Sequence, residues 1–304
     1  MHWCNAAATA HPQGLVHYVA IDTEIWDKSR SQGNVSRAAM LAWLRTDLTK
    51  AQANRANVPW IVCHGHQSVY CSTGDDGDCN LPGGPAWNYR LLLEPLFFEF
   101  GVDFWMNGHE HSYERSYPVY KGKSDRSNLE PKATIYVVTG AAGCAEMHEG
   151  FTRVAPSWSA FRSNTFGYSR MTVYNASHLH WQQVQTDPTL FGKDLYGRVI
   201  DDAWIVQHNH GPFSLAAAPT GTAWPIGDEH PSRSHEHWDA MLGQPNQNNL
   251  NENVYRSRGR ARERPCVCVW WAGVAEEWGS MLHHECTGNT IHVARVCACV
   301  LFCS

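Results

Sequence analysis

The chain has 304 residues, 43% of them hydrophobic and 17% charged, enough to bury a substantial core as one large domain or two smaller ones. A formal charge of -5 and a pI near 6.4 give no broad basic surface, which argues against nucleic acid as the main partner. No run of about 18 apolar residues occurs, which excludes a membrane-spanning helix.

Met1 to Gln13 lacks the cationic and apolar regions of a secretory signal. The run LVHYVAI (15–21) is short, rich in β-branched residues and bounded by Gly14 and Asp22, so it predicts a buried strand. Asn34-Val-Ser36 is a glycosylation sequon, and Ser36 is also an N-cap for a helix whose Met40, Leu41, Leu44, Leu48 and Ala51 fall on one face. Pro59 ends that helix and WIVC (60–63) starts a second buried strand. The Gly-, Asp- and Pro-rich loop 67–87 holds Cys71 and Cys79, close enough to staple it. RLLLEPLFFEF (90–100) predicts a helix closed by Gly101, and VDFWM (102–106) and ATIYVVTG (133–140) predict strands. Strand and helix alternate as in an α/β sheet with covered faces.

Beyond Gly167 the pattern becomes YSRMTVYN, a turn at Asn175 and HLHWQQVQT, an antiparallel hairpin that DDAWIVQ (201–207) can extend. Asn175-Ala-Ser177 is a second sequon. After about His210 the periodicity fades into Pro-, Ala- and Gly-rich sequence, an Asn/Gln-rich stretch and arginines at 256, 258, 260, 262 and 264, so residues 215–304 are expected to lack regular structure. Six of the 11 cysteines crowd the last 40 residues. A zinc site from Cys266, Cys268, Cys286, His283, His292, Cys297 and Cys299 is the functional alternative there, but its Cys-x-Cys spacings do not match a zinc knuckle.

The chemistry-bearing signal is Gly108-His109-Glu110-His111 after the strand VDFWM, with Gly65-His66 after the strand WIVC. Three imidazoles at strand exits suit Zn, Fe or Mn, and a pair of such ions can activate water and clamp a phosphoryl oxygen. Residues i and i+2 of an extended chain share a face, so His109 and His111 can diverge toward two neighbouring ions only if the loop bends between them. The bland alternative is that each is a polar loop residue in a chain with 18 histidines.

GHEHSYERSYPVY (108–120) and PWIVCHGHQSVYCS (59–72) resemble the fourth and fifth metal-ligand blocks of purple acid phosphatases, members of the calcineurin-like metallophosphoesterases. GAAGCAE (140–146), SWSAFRSNTFGYSRMTVYNASHLHWQQVQTD (157–187) and GRVIDDAWIV (197–206) are similar to that family's C-terminal segment. The resemblance implies hydrolysis of phosphate monoesters at acid pH by Fe(III) paired with Zn, Mn or Fe(II). His66 and His109 would hold the divalent ion and His111 the ferric one, with Tyr113, Glu114 and Arg115 supporting the ligands. It further implies a small phosphate-ester substrate and, with the sequons, a secreted, lysosomal or vacuolar location; the charge and the lack of a long apolar run lead to the expectation of no nucleic-acid or membrane partner.

The family's two aspartates, its iron-bound tyrosine and an asparagine followed by histidine come from motifs that precede the matched region. Gly74-Asp75-Asp76-Gly77 copies the first of these by letter but lies after the His66 block, and reads as a turn. His64, His148 and Glu149 are candidates for the family's substrate-binding histidine, each more readily read as an exposed loop residue. With three ligands in view, the chain is expected to bind a hard ferric ion weakly and to be impaired as an enzyme. The abrupt start of the match at GLVHYVAIDTE suggests a truncated gene product, and the simple alternations of the tail suggest mistranslated sequence.

The expected fold is α/β: a partial metallophosphoesterase β-sandwich flanked by helices, a β-rich C-terminal segment and a disordered tail. Its divisions are 1–13 outside the resemblance, 14–140 the catalytic-domain half, 141–210 the C-terminal segment and 211–304 the tail. Absence of the preceding strands predicts an uncovered apolar sheet face. A non-catalytic remnant that keeps the fold, and a phosphodiesterase or nucleotide pyrophosphatase, are the alternatives.

Overall fold

A computed structural model describes residues 8–26, 36–74, 77–79, 84–144, 148–186, 196–217 and 294–296. Asn34, the tail cysteines and the alternating arginines lie outside the described residues. The first sheet has seven strands in the order β1 (Ala8–Gln13), β2 (Val16–Ile21), β3 (Trp60–His64), β4 (Phe104–Asn107), β6 (Ile135–Thr139), β5 (Tyr113–Ser116) and β7 (Ser159–Ser163). β2, β3, β4 and β6 run parallel, and both borders are antiparallel. The second sheet is antiparallel, in the order β10 (Val199–Val206), β9 (His178–Gln185), β8 (Gly167–Val173) and β11 (Ala294–Val296).

Helices α1 (Arg37–Ala53) and α2 (Pro85–Phe100) lie on one face of the first sheet. Ser36 caps α1 by accepting from the Ala39 amide at 3.1 Å, and Met40, Leu44, Leu48 and Ala51 form its buried face. Period-two alternation splits each central strand between two cores. Ile61 and Cys63 of β3 face the helices with Leu93 and Phe97, whereas Trp60 and Val62 face the second sheet with Leu179, Trp181, Ala203 and Ile205. No helix among the described residues is long and apolar enough to cross a membrane.

Three expectations change. The sheet does not expose an apolar face over the described residues, because the C-terminal hairpin and β10 pack on the side opposite the helices. Residues 8–13, assigned no structure from sequence, form β1, paired with β2 across the two-residue turn Gly14-Leu15. ATAHPQ carries little apolar signal, and long backbone pairing rather than side-chain pattern defines it. In the tail, Ala294–Val296 pairs with Met171–Val173 along the edge of β8, where unpaired backbone groups offer a template. The chain changes sheets between Ser163 and Gly167, because β7 joins the first sheet through β5.

Candidate metal centre

Because β3 and β4 are parallel neighbours, their C-terminal ends open at the same edge, where open α/β sheets place their ligands. The loops that follow are fastened to each other. The His66 carbonyl accepts from the Gly108 amide at 3.2 Å and the His109 amide at 3.0 Å, and the Gly65 amide donates to Met106 at 3.1 Å. Thr23, buried after β2, accepts the His66 and Gln67 amides on Oγ1 at 3.2 and 3.0 Å. The crossing is too close for side chains at two points. A Cβ on Gly65 would come within 2.7 Å of Trp105, and one on Gly140 within 2.1 Å of the Glu110 carbonyl.

This backbone brings His66 and His109 face to edge, with His66 Nε2 3.0 Å from His109 Nδ1 and ring centroids 4.9 Å apart. The other nitrogen of His109, Nε2, lies 2.9 Å from Asp78 Oδ2. Asp78 occupies the loop closed by the Cys71–Cys79 disulfide, whose Cα atoms are 5.2 Å apart. Glu110, buried between the two histidines in sequence, turns into that loop and accepts from Thr73 Oγ1.

His111 goes elsewhere. Its amide donates to Glu149 Oε2 at 3.2 Å, its Nδ1 is 3.9 Å from Glu149 Oε1, and its carbonyl accepts from His148 Nδ1 at 2.8 Å. The loop therefore bends as required, and the Ser112 amide closes the bend on the Glu110 carbonyl at 2.8 Å. His148 and Glu149 are half-buried against His111 rather than exposed. A bridge between Thr73 and Phe151 ties their segment to the disulfide loop.

Among the described residues, ligand atoms of Asp78, His109 and Glu110 all fall within 4.8 Å of one another, as do those of Cys71, Cys79 and Glu110. The second group is closed to metal because both sulfurs are spent in the disulfide. His111 is in neither group.

Tyr113, Glu114 and Arg115 hold the scaffold. Asp201 accepts from Tyr113 Oη at 2.6 Å, and from Arg115 Nε and Nη2 at 2.7 and 2.9 Å, while Trp181 Nε1 donates to Tyr113 Oη at 2.8 Å. This charge-assisted fork joins β5 to β9 and β10 inside the interface of the two sheets. Glu114 accepts from Ser72 and Ser159 at 2.7 and 2.6 Å, and burial pushes its carboxyl above the usual range despite those hydroxyls.

Sequence reasoning missed Asp78 and Asp201. Asp201 had a signal: an acid at an inward position of an alternating strand needs a cationic partner, and Arg115 follows the histidine block. Asp78 had a fainter one, a carboxylate beside a loop-closing cysteine, masked by the motif-like Gly74-Asp75-Asp76-Gly77 of which residues 75 and 76 lie outside the described set.

Residues 13–113 match the calcineurin-like phosphoesterase family and residues 133–194 the iron/zinc purple acid phosphatase-like protein C family. Acid phosphatase type 7 of Danio rerio is 37% identical over 219 residues, covering 66% of this chain and 46% of the relative. Acid phosphatase type 7 of Mus musculus is 36% identical over 203 residues, covering 64% and 44%. The chain thus spans less than half the length of these relatives. Among solved structures, the purple acid phosphatase PPD1 isolated from yellow lupin (Lupinus luteus) seeds shares the fold with a TM-score of 0.52 at 23% identity, over 66% of this chain and 32% of that one. The two matched segments run in the same order as the histidine blocks and the C-terminal sheet: the chain is similar to the calcineurin-like phosphoesterases over residues 13–113 and to the C-terminal part of the purple acid phosphatases over residues 133–194.

Proposed function

We propose that this chain contributes metal-holding residues to hydrolysis of phosphate monoesters, with His66 and His109 on one divalent ion. The observation that carries this reading is the 3.0 Å approach of His66 Nε2 to His109 Nδ1, with Asp78 on the opposite nitrogen of His109. Two nitrogens bound at about 2.1 Å to one ion lie about 3.0–3.4 Å apart for ligand angles of 90–109°. The pair therefore fits a borderline ion such as Zn, Mn or Fe(II) with little movement.

Asp78 accepts from the N–H at His109 Nε2, which leaves the Nδ1 lone pair facing His66, the partner arrangement that metal-ligating histidines use. His111 is the candidate for the second, ferric ion, with the Glu149 carboxylate 3.9 Å from its Nδ1 as a neighbouring oxygen group. One carboxylate is described beside His111, and a ferric ion prefers several oxygen donors, so iron is held more weakly than the divalent ion. When bound, the ions supply positive charge to phosphoryl oxygens and an activated water. The residues of this chain fix the ligand rings, and the fastened loops of His66 and His109 keep the ring nitrogens together before any ion arrives. The disulfide and the exposed Asn175 sequon support a secreted, lysosomal or vacuolar setting.

The test is turnover of p-nitrophenyl phosphate and bis(p-nitrophenyl) phosphate at pH 5 with added Fe and Zn, for the chain and for His109→Ala. Metal-dependent turnover of the monoester that His109→Ala abolishes is the expected result. Turnover indifferent to chelator and to His109→Ala, or confined to the diester, contradicts the proposal.

A further inference from the structure

The second sheet has an outward face that its core does not use. On β10 the outward residues include Asp202 and Trp204, and across the ladder Trp204 stands beside His180 and Asp202 beside Gln182. Trp204 and His180 stack with centroids 4.4 Å apart and planes 6° apart. Tyr174, at the end of β8, packs on Trp204 at 5.0 Å. Trp204 is 45% exposed and Tyr174 40%. Single surface aromatics need no explanation, but contiguous rings with a polar border mark a contact surface. The border is organised: Asp202 accepts from His180 Nε2 at 2.9 Å and Gln182 Nε2 at 2.7 Å, and Arg170 donates to Gln182 Oε1 at 2.9 Å.

The residue after Tyr174 is Asn175, the first of the sequon Asn175-Ala-Ser177, at the turn between β8 and β9. Its Oδ1 accepts from the Ser177 amide at 2.8 Å, Ser177 Oγ at 3.1 Å and the His178 amide at 2.8 Å. These three bonds direct the carboxamide oxygen into the turn and its nitrogen outward at an exposed residue. Trp60 Nε1 donates to the Asn175 carbonyl at 3.0 Å and His210 Nε2 to the Ala176 carbonyl at 2.6 Å, so the turn is anchored to the body.

We propose that Asn175 carries an N-linked glycan whose first sugars lie on the Tyr174–Trp204 platform. In the attachment step Asn175 Nδ2 bonds to C1 of the sugar of a lipid-linked oligosaccharide pyrophosphate, the C1–O bond breaks, and the lipid pyrophosphate departs as the amide loses a proton. The apolar C–H face of a pyranose fits an exposed ring, and its hydroxyl and acetamido groups find acceptors and donors in Asp202 and Gln182. Two exposed rings give too small an area to hold a free sugar against the entropy of association. A sugar tethered one residue from Tyr174 meets the platform at a high effective concentration, which is why the occupant is the chain's own glycan. This proposal stands on the hairpin alone and is independent of the metal reading.

The test expresses the full chain behind a secretory leader in eukaryotic cells and maps Asn175 by glycopeptide mass spectrometry. Melting is then compared with and without the glycan, removed by an amidase, in the wild type, Trp204→Ala and Trp204→Phe. The glycan should be present, its removal should lower Tm by about 2–4 °C in the wild type and much less in Trp204→Ala, and Trp204→Phe should recover part of the difference. An unmodified Asn175, or equal shifts in wild type and Trp204→Ala, overturns the proposal. So does saturable binding of free chitobiose to the unglycosylated chain, which would make the platform a site for foreign sugars.

Discussion

A neutral imidazole has one protonated nitrogen and one lone pair, so the Asp78 carboxylate on His109 Nε2 fixes the lone pair at Nδ1, the atom facing His66. The carboxylate is itself placed by its loop, one residue from the disulfide at Cys79. Removing the charge should therefore loosen the ligand without unfolding the chain. Asp78→Asn should weaken divalent-ion affinity by about 10–100-fold, read by chelator competition, and shift the His109 tautomer seen by 15N NMR. Unchanged affinity and tautomer would leave Asp78 a loop residue only. The placement of His66, His109 and His111 at strand exits was legible in the sequence because each follows an apolar strand, but that of Asp78 was not: nothing local marks which acid of a Gly/Asp loop a staple will aim.

At the scale of elements, the strands that sequence reading found are those whose apolar runs fill both cores, such as WIVC and ATIYVVTG. Helix α2 begins at Pro85, five residues before the apolar run that announced it, because Pro at the first turn and Gly84 before it serve as a start without an apolar signal. β1 and β7 were not legible, since their definition comes from backbone pairing with β2 and β5. The contact between β5 and β10 also escaped a local reading, as its partners Arg115 and Asp201 are 86 residues apart. Asp201→Ala would leave the buried Arg115 guanidinium and the Tyr113 hydroxyl without their acceptor, and should cost about 3–5 kcal/mol in urea unfolding. A loss below about 1 kcal/mol would mean the two sheets are joined by apolar packing alone.

Across the whole molecule, acid behaviour depends on buried carboxyls shifted in opposite directions. Burial acts to raise the Asp103 carboxyl, but Arg55, at 2.7 Å, together with His210 and the Ile61 amide, holds it below the usual range. A depressed carboxyl stabilises the fold above its unfolded value of about 3.9 and loses that contribution as pH falls through its lower folded value. Glu94 and Glu114 behave in reverse: burial raises both, so their contribution is present at low pH and is lost as pH rises through their raised values. Asp103→Asn should therefore lower Tm at pH 5 and flatten its fall below about pH 4, as seen by calorimetry between pH 3 and 6. An acid limb of unchanged steepness would assign it to other groups.

Equilibrium titration of the purified chain with Zn(II), beside His66→Ala and His109→Ala, decides whether the two histidines share one divalent ion. One tight divalent site is expected in the wild type, removed by either substitution while far-UV circular dichroism stays unchanged. Equal Zn(II) retention in all three proteins would contradict it and leave the His66–His109 contact a hydrogen bond between loops.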